Sequence, residues 1–491
     1  MLFDFNRIEI KTLSKTKINR RQFIQQAAVA SAALGLSSLP NSTFAGNKDN
    51  TSSPNVIFIL ADDLGWGDLS SYGRRDYSTP NLDKLATQGV RLTQAYSNSS
   101  YCTPTRIAFL TGRYQQKTPV GLQEPLPYRK QLEKNGSVEK LGIPAEHPTI
   151  ASYLKKQGYN TGLVGKWHAG YLPNFSPLKS GFDQFFGVMS GGVDYFTHKD
   201  SDGENDLWED ETPIEKTGYI TDLITERAIE FIDSKAKAKQ PFYLSLHYTA
   251  PHWPWEGPKD EEISQNLKSL FHFDGGSPEI YAEMVKRLDS GVGKVLNTLT
   301  KLGIADNTLV IFTSDNGGER FSDMFPFVGS KGGVYEGSTR VPAIIRWPKQ
   351  LPANKISQQV AVSFDWTATI LAAAKVSTDS NYPLDGIDLL PYLKTAGKNE
   401  TTVERQLFWR VKGQHAVRDG NLKYIKVANE NQVFTQGGLP ASLRGTEFLF
   451  DLSQDLREQA NLKDQRPADL QRLRQAWEAW NKTVLAEPVA T

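Results

Sequence analysis

The chain has 491 residues and one cysteine, Cys102. A single thiol forms no internal disulfide, so the fold is not stapled and Cys102 is not there for stapling. Excess charge is also missing, with 56 Lys/Arg against 55 Asp/Glu. The first 45 residues hold six basic and two acidic side chains, which leaves 50 against 53 and a net charge of about −3 for the rest. A near-neutral body argues against a broad nucleic-acid or anionic-membrane surface. The N-terminal apolar run, Ala27 to Leu39, is too short for a bilayer span, which needs roughly 20 apolar residues. Internal repeats and long low-complexity tracts are absent, which excludes a repeat architecture.

What is present begins with "INRRQFIQQAAVASAALGLSSLPNSTFAG". Arg20 and Arg21 precede a mildly apolar run, and Thr43-Phe44-Ala45 offers a small-residue cleavage site. Residues 1–45 therefore read as a twin-arginine export signal, with the export machinery as partner and a periplasmic or secreted destination. Residues 46–55 read as a polar linker.

After it, apolar runs alternate with helical patterns. "VIFIL" at Val56–Leu60 suits a strand buried on both faces of a parallel sheet. Similar strands are expected at Thr161–Gly165, Phe242–Tyr248 and Thr308–Thr313. Helices are expected at Asn81–Gln88, Ala151–Gln157, Tyr219–Lys237 and from Pro278 to Gly303. The expected fold is α/β, with a mixed, mainly parallel sheet sandwiched by helices over residues 56–393. Past Leu393 the pattern changes. "LFWRVKGQHAVRDGNLKYIKVA" holds two strand-like runs around the turn Arg418–Asn421, "EFLFDL" adds another, and Pro467–Leu485 reads as a helix. Residues 394–491 are therefore expected to form a smaller C-terminal α+β domain with an antiparallel sheet.

In open α/β sheets ligands bind beyond the carboxyl ends of the strands. Four expected strands end in chemistry-bearing groups: Asp62-Asp63, Lys166-Trp167-His168, Pro251-His252-Trp253, and Asp315-Asn316 with Lys331 further on. The oxygen donors of Asp62, Asp63, Asp315 and Asn316 suit a hard cation, Ca²⁺ ahead of Mg²⁺. Such residues also cap helices and turns; two pairs, each at a strand end, favour the metal. Arg106, Lys166 and Lys331, with His168 and His252, suit an oxyanion. Pro104 suits the first turn of a helix with Cys102 or Thr103 at its cap, where free N–H groups favour an anionic oxygen.

These stretches resemble one family. "CTPTRIAFLTGR" resembles the type I sulfatase signature, Cys-x-Pro-Ser/Thr-Arg followed by Leu-Thr-Gly-Arg, with Thr105 where serine is commoner. "GYNTGLVGKWHAG" resembles the second signature, and "ADDLGWGD", "TAPHWPW", "FTSDNGG" and "GSKGGVYEGSTRVPAIIRWP" continue the likeness in the family's order. The resemblance implies an alkaline-phosphatase-like fold. It implies conversion of Cys102 to Cα-formylglycine by a formylglycine-generating enzyme, before export. It implies one Ca²⁺ held by Asp62, Asp63, Asp315, Asn316 and the residue made from Cys102. Arg106 and Lys166 would hold the nucleophilic hydrate and the sulfate. His252 and Lys331 would lie toward the leaving oxygen, one of them donating its proton, and His168 would take the proton of the second hydroxyl.

For substrate, Trp253 and Trp255 offer faces for a pyranose ring, or walls for the pocket. Asp194, Tyr195 and His198 in "GGVDYFTH" resemble a segment near the substrate pocket of sulfatases acting on sulfated sugars. A sulfated carbohydrate is therefore expected. The alternatives are a phosphonate or phosphate monoester hydrolase with the same Cys-x-Pro-x-Arg core, and a non-catalytic exported binding protein.

Overall fold

The run "VIFIL" lies at the middle of the molecule. It belongs to strand β1 (Asn55–Ala61), whose residues from Val56 on are all buried. The computed structural model describes residues 53–267, 269–270, 275–398, 400–428 and 445–487. The expected export signal, and the linker up to Ser52, lie outside the described residues.

The remaining strands of the main sheet are β2 (Val90–Tyr96), β3 (Asn160–Lys166), β4 (Gln184–Val188), β5 (Leu207–Glu209), β6 (Thr212–Pro213), β7 (Phe242–His247), β8 (Thr308–Ser314), β9 (Arg340–Arg346), β10 (Lys355–Ser357) and β11 (Ala361–Val362). Their order is β10-β2-β9-β8-β1-β7-β3-β4-β5-β6, with β11 also on β2. The block β8-β1-β7-β3-β4 is parallel. β9 runs antiparallel to both of its neighbours. Alternation along β1 feeds two cores. Val56, Phe58 and Leu60 pack with Ile107 and Phe109 of the helix Cys102–Thr111 and with Ile370 of the helix Ser363–Ala373. Ile57 and Ile59 pack on the other side with the helices Pro80–Thr87, Ile220–Lys237 and Pro278–Lys301. The sheet is thus covered on both faces, as a parallel sheet requires.

Local rules account for the helix positions. Ser277 Oγ accepts the Ile280 N–H at 3.2 Å and Pro278 opens the long helix. Met284, Leu288, Val292, Val295 and Leu299 make its buried stripe. Asp289 on the same helix is buried, and its Oδ1 accepts the Leu82 N–H at 2.8 Å, which ties down the start of the Pro80–Thr87 helix. β9 has no clear period in the sequence because Pro342 interrupts it. The register on β2 slips between Leu92 and Ala95 at that point, and a bulge is where a sheet tolerates proline.

The second sheet is antiparallel: β12 (Gln406–Val411), β13 (Gln414–Asp419), β14 (Leu422–Lys426) and β15 (Glu447–Asp451), in that order. The stretch read as two strands holds three. Lys412 (φ 43°) and Gly413 (φ 75°) make an extra tight turn of the left-handed kind that hairpins use. The last helix ends at Asn481 rather than Leu485, and it buries Leu473, Trp477 and Trp480. Tyr96, Tyr335 and Phe364 of the larger region share that core, so the two sheets belong to one compact unit.

Candidate active site

Asp62 and Asp63 follow β1, and Asp315 and Asn316 follow β8. Ala61 pairs with Ser314 across the two strands, so the four residues leave the sheet side by side. Neighbours on an extended chain point opposite ways. Asp63 breaks that alternation with φ 62°. Its N–H donates to Asp315 Oδ1 at 3.2 Å, and Asn316 Nδ2 donates to Asp63 Oδ1 at 2.6 Å. All four are buried. Two of their acceptors, Asp62 Oδ1 and Asn316 Oδ1, have no hydrogen-bond partner among the described residues. Buried acceptors without donors are rare; the Arg106 guanidinium comes only to 3.7 Å of Asp62 Oδ1, and a bound cation would satisfy both. Burial, and then repulsion from Asp62, pushes the Asp315 carboxyl up to about 7, a strain that a cation among these oxygens would relieve. The donor set fits Ca²⁺.

β2 leads to Cys102. It ends at Tyr96, and the loop Ser97–Tyr101 leads into the helix Cys102–Thr111. The expected cap at Cys102 or Thr103 is corrected by one residue: Tyr101 is the N-cap and Cys102 is the first helical residue. The start of a helix leaves such N–H groups without helical partners. Thr105 Oγ1 donates to Ser99 O at 2.9 Å and accepts the Ser99 N–H at 3.1 Å, so it clamps the approach loop. Asp62, Asp63, Cys102 and His252 each bring a ligand atom within 4.8 Å of the others.

The cations converge from three further elements. Arg106 is one turn along the helix. Its Nη2 and Nε donate to Asp315 Oδ2 at 2.8 and 3.1 Å, and its Nη1 donates to Lys166 O at 2.9 Å. Lys166, at the end of β3, donates from Nζ to Asp62 Oδ2 at 2.5 Å. Lys331 Nζ lies 2.7 Å from Asp63 Oδ2 and 3.4 Å from Glu319 Oε1. His252 Nε2 is 3.6 Å from Asp63 Oδ2. Burial alone would raise the Asp63 carboxyl; Lys331, His252 and Lys166 outweigh it and hold it at about 2.

The histidine tautomers follow from their partners, because a carbonyl only accepts. His168 donates Nε2–H to Leu126 O at 3.1 Å, which leaves Nδ1 as a buried acceptor without a donor among the described residues. His252 donates Nδ1–H to Trp253 O at 2.6 Å and keeps Nε2 for the site. Burial, reinforced by Lys166 for His168 and by Lys331 for His252, holds both well below the usual imidazole range.

The substrate candidates are less tightly gathered. Asp194 Oδ1 accepts from Phe196 N, Thr197 N and Ser264 Oγ, and His198 Nε2 donates to Gly218 O. Trp255 is 8% exposed and sits edge-on to Phe321. Trp253 is half-buried, 4.4 Å from the His252 ring. Several further neighbours have no individual role assigned from sequence. Glu319 touches Lys331, and His247 lies under Arg106 with its Nδ1 3.0 Å from Lys166 O. Gly191 and Gly192 lie so near the His168 and His252 rings that a Cβ would come within 2.6 and 3.1 Å. His247 carried a signal as the end of a strand, Glu319 as the start of the loop Glu319–Gly329 between Asn316 and Lys331, and Gly191 and Gly192 as the head of "GGVDYFTH".

The family described as Sulfatase matches residues 54–376. The chain belongs to this family, within the alkaline-phosphatase superfamily. It is similar to N-acetylgalactosamine-6-sulfatase of Rattus norvegicus, with 35% identity over 356 residues, 69% of this chain and 65% of that protein. The match thus spans just under two thirds of the rat protein's length. Arylsulfatase A of Bos taurus is 31% identical over 454 residues, 84% of each chain. Among solved structures, Ps i-CgsB in complex with k-i-k-neocarrahexaose is 31% identical, covers 87% of this chain and 92% of that one, and has a TM-score of 0.74.

Proposed function

We propose that this chain hydrolyses sulfate esters on a sulfated carbohydrate, using a formylglycine made from Cys102 and one Ca²⁺ held by Asp62, Asp63, Asp315 and Asn316. The gathering of Asp62, Asp63, Cys102 and His252 within 4.8 Å carries the reading. An unmodified thiol suits the place poorly. Burial pushes Cys102 up, against the pull of Lys166 and Lys331, and a neutral thiol is a weak nucleophile. Formylglycine, as its hydrate, supplies an oxygen nucleophile that can release sulfate by re-forming the aldehyde. Ca²⁺ supplies positive charge against the sulfate and lowers the pKa of a bound hydroxyl.

The chain's own groups have separate tasks. Arg106 ties the nucleophile's helix to β3 through Lys166 O and to β8 through Asp315. Lys166 and Lys331 bring ammonium groups to the sulfate oxygens. His168 offers Nδ1, which has no partner among the described residues, as a proton acceptor. Lys331 and His252 lie together beside Asp63, toward the leaving oxygen, and one of them protonates it. A bound sulfate monoester brings negative charge to His252 and raises its proton affinity.

The carbohydrate part draws on the relatives: one is named for N-acetylgalactosamine-6-sulfate hydrolysis and one solved neighbour holds a neocarrahexaose. Export by the twin-arginine route, after Cys102 has been converted, completes the reading.

The test is an assay of protein from its own host, or one co-expressing a formylglycine-generating enzyme, on 4-nitrophenyl sulfate, 4-nitrophenyl phosphate and defined sulfated oligosaccharides. Mass spectrometry of the peptide Tyr101–Arg106 accompanies it. Expected are an aldehyde at residue 102, sulfate release from a sugar, and loss of turnover on Ca²⁺ chelation with recovery on re-addition. A strong phosphate preference supports the phosphoester alternative, and an unmodified thiol in host protein supports a binding protein. Cleavage of aryl sulfates alone ends the carbohydrate reading.

A further inference from the structure

His252 takes its aim from its own loop. Its Nδ1–H donates to the carbonyl of the next residue, Trp253, at 2.6 Å, so the ring moves with the backbone that carries it. That backbone is the turn Thr249–His252, closed by the His252 N–H on Thr249 O at 3.0 Å. The turn is held from two sides. The Asp62 N–H donates to Ala250 O at 3.2 Å, which joins it to the acidic cluster. From the other side the Tyr195 hydroxyl reaches His252 O at 2.8 Å and Thr249 O at 3.0 Å.

Tyr195 is itself fixed at every polar atom. Its N–H donates to Glu256 Oε2 at 3.1 Å, and its carbonyl accepts the Ile220 N–H at 2.9 Å. Its ring stacks on Tyr219 with centroids 5.2 Å apart, and the Tyr219 hydroxyl donates to Glu256 O at 2.7 Å. Burial keeps the Tyr195 hydroxyl protonated, as a donor to carbonyls must be. Burial, and then the nearby Asp194 charge, pushes the Glu256 carboxyl up to about 9, so it receives the Tyr195 N–H as a neutral acid. The segment "GGVDYFTH" raises the expectation of a sugar contact. At 1% exposed, Tyr195 offers a sugar no face. Its contacts run to the loop of His252 instead.

We infer that Tyr195 is a positioning residue for His252: its hydroxyl, anchored through Glu256 and Tyr219, fixes the turn Thr249–His252 so that His252 Nε2 stays beside Asp63 and toward the leaving oxygen. Nε2 lies 3.6 Å from Asp63 Oδ2 in this arrangement. A hydrogen-bonded support of this kind holds a reacting group to the tolerance that catalysis needs. The inference rests on the sulfate ester hydrolase reading.

The test is a double-mutant cycle of Tyr195→Phe and His252→Ala, with kcat and KM measured on an alkyl sulfate and on 4-nitrophenyl sulfate. Tyr195→Phe keeps the ring and removes only the hydroxyl. Alone, it is expected to lower kcat by about tenfold, short of the roughly 100-fold that a 1 Å misplacement costs, with KM little changed. Its losses on the two substrates follow the pattern of His252→Ala. In the His252→Ala background the further loss vanishes, because residues that act through one another do not add. Tyr219→Phe removes a buried hydroxyl from the same cluster without touching His252; it should lower the melting temperature and keep kcat. Glu256→Gln preserves an acceptor for the Tyr195 N–H and should keep kcat. Glu256→Ala removes it, and gives the same cycle should Tyr195→Phe fail to fold. A wild-type kcat in Tyr195→Phe overturns the positioning role. So do losses that multiply with those of His252→Ala, and an equal kcat loss in Tyr219→Phe. All three leave the hydrolase reading standing, whereas no sulfate ester turnover by formylglycine-bearing wild type removes that reading and the positioning role with it.

Discussion

Lys331 and His252 share one carboxylate, Asp63, yet they differ in readiness to give up a proton. Burial would lower Lys331, but Asp63 and Glu319 hold its ammonium charged, while burial and Lys331 keep His252 neutral. The two roles separate by leaving group. Replacing the true proton donor by Ala is expected to cost about 10² to 10⁴ on an alkyl sulfate, whose leaving oxygen needs the proton, and far less on 4-nitrophenyl sulfate. Equal losses on both substrates for both variants would mean that neither acts as the acid. The histidines also depend on residues with no side chain. A methyl group at Gly191 would sit 2.6 Å from His168 Cε1, so Gly191→Ala must move the ring. A misplacement near 1 Å costs about 100-fold in rate, and kcat should fall by that order. The melting temperature should stay near the wild-type value; a large drop in it would show that the glycine serves the fold instead. Single residues of this kind are poorly legible in sequence. Asp62, Asp63, Asp315 and Asn316 stand at the ends of apolar runs, whereas Gly191 and Glu319 are marked only as members of longer stretches, "GGVDYFTH" and the loop between Asn316 and Lys331.

At the scale of elements, the strands that place the site are the ones that the sequence reveals. β1, β3, β7 and β8 are buried on both faces, so they read as largely apolar runs with few polar residues, and their carboxyl ends can be inspected directly. β2 and β9 are harder. β2 mixes Arg91, Thr93 and Gln94 into its length, and β9 carries Pro342 at a bulge. β2 nevertheless leads to Cys102, through a loop that Thr105 holds from both sides of Ser99. Thr105→Val keeps the shape and removes the hydroxyl, leaving a buried N–H and C=O without that partner. The expected loss is about 1–3 kcal/mol, read from urea midpoints, with Thr105→Ser close to wild type. If Thr105→Val were as stable as wild type, the clamp would have no energetic role. The extra turn at Lys412–Gly413 was invisible as a turn because the run on either side is apolar enough to pass for one strand.

Across the whole molecule, a buried ionic cluster joins the two sheets. Lys423 Nζ of β14 lies 2.9 Å from Glu336 and 2.8 Å from Glu458, and Glu336 also meets Arg340 at 3.0 Å. Burial would raise Glu336, but Lys423, Arg340 and Arg418 hold it at about 2, below its usual 4.5. Burial pushes Glu458 up to about 7, with Lys423 opposing and Glu336 assisting. The depressed group stabilises the fold above its unfolded pKa, and that share is lost as pH falls from 4.5 toward 2. The raised group stabilises below 4.5, and its share is lost as pH climbs through 7. The cluster therefore contributes most near pH 4.5, and its contribution falls toward pH 2 on one side and toward pH 7 on the other. Urea midpoints measured from about pH 3 to 8 should show both limbs, and Lys423→Met should flatten the acid limb. An acid limb unchanged in Lys423→Met would exclude this pairing as its source.

Sequence alone determined the α/β class, the sulfatase likeness and the gathering of acidic, amide and basic residues at the strand ends. Each of these is a local pattern: an apolar run, a strand terminus, or a helix start around Cys102. Tertiary structure alone decided which His168 nitrogen bonds Leu126, that Glu336 meets Lys423, and that Lys412 reaches Tyr101. The partners in the last two pairs lie in distant parts of the chain, and His168 finds Leu126 in another loop. Packing of the two sheets, not any local preference, brings them together.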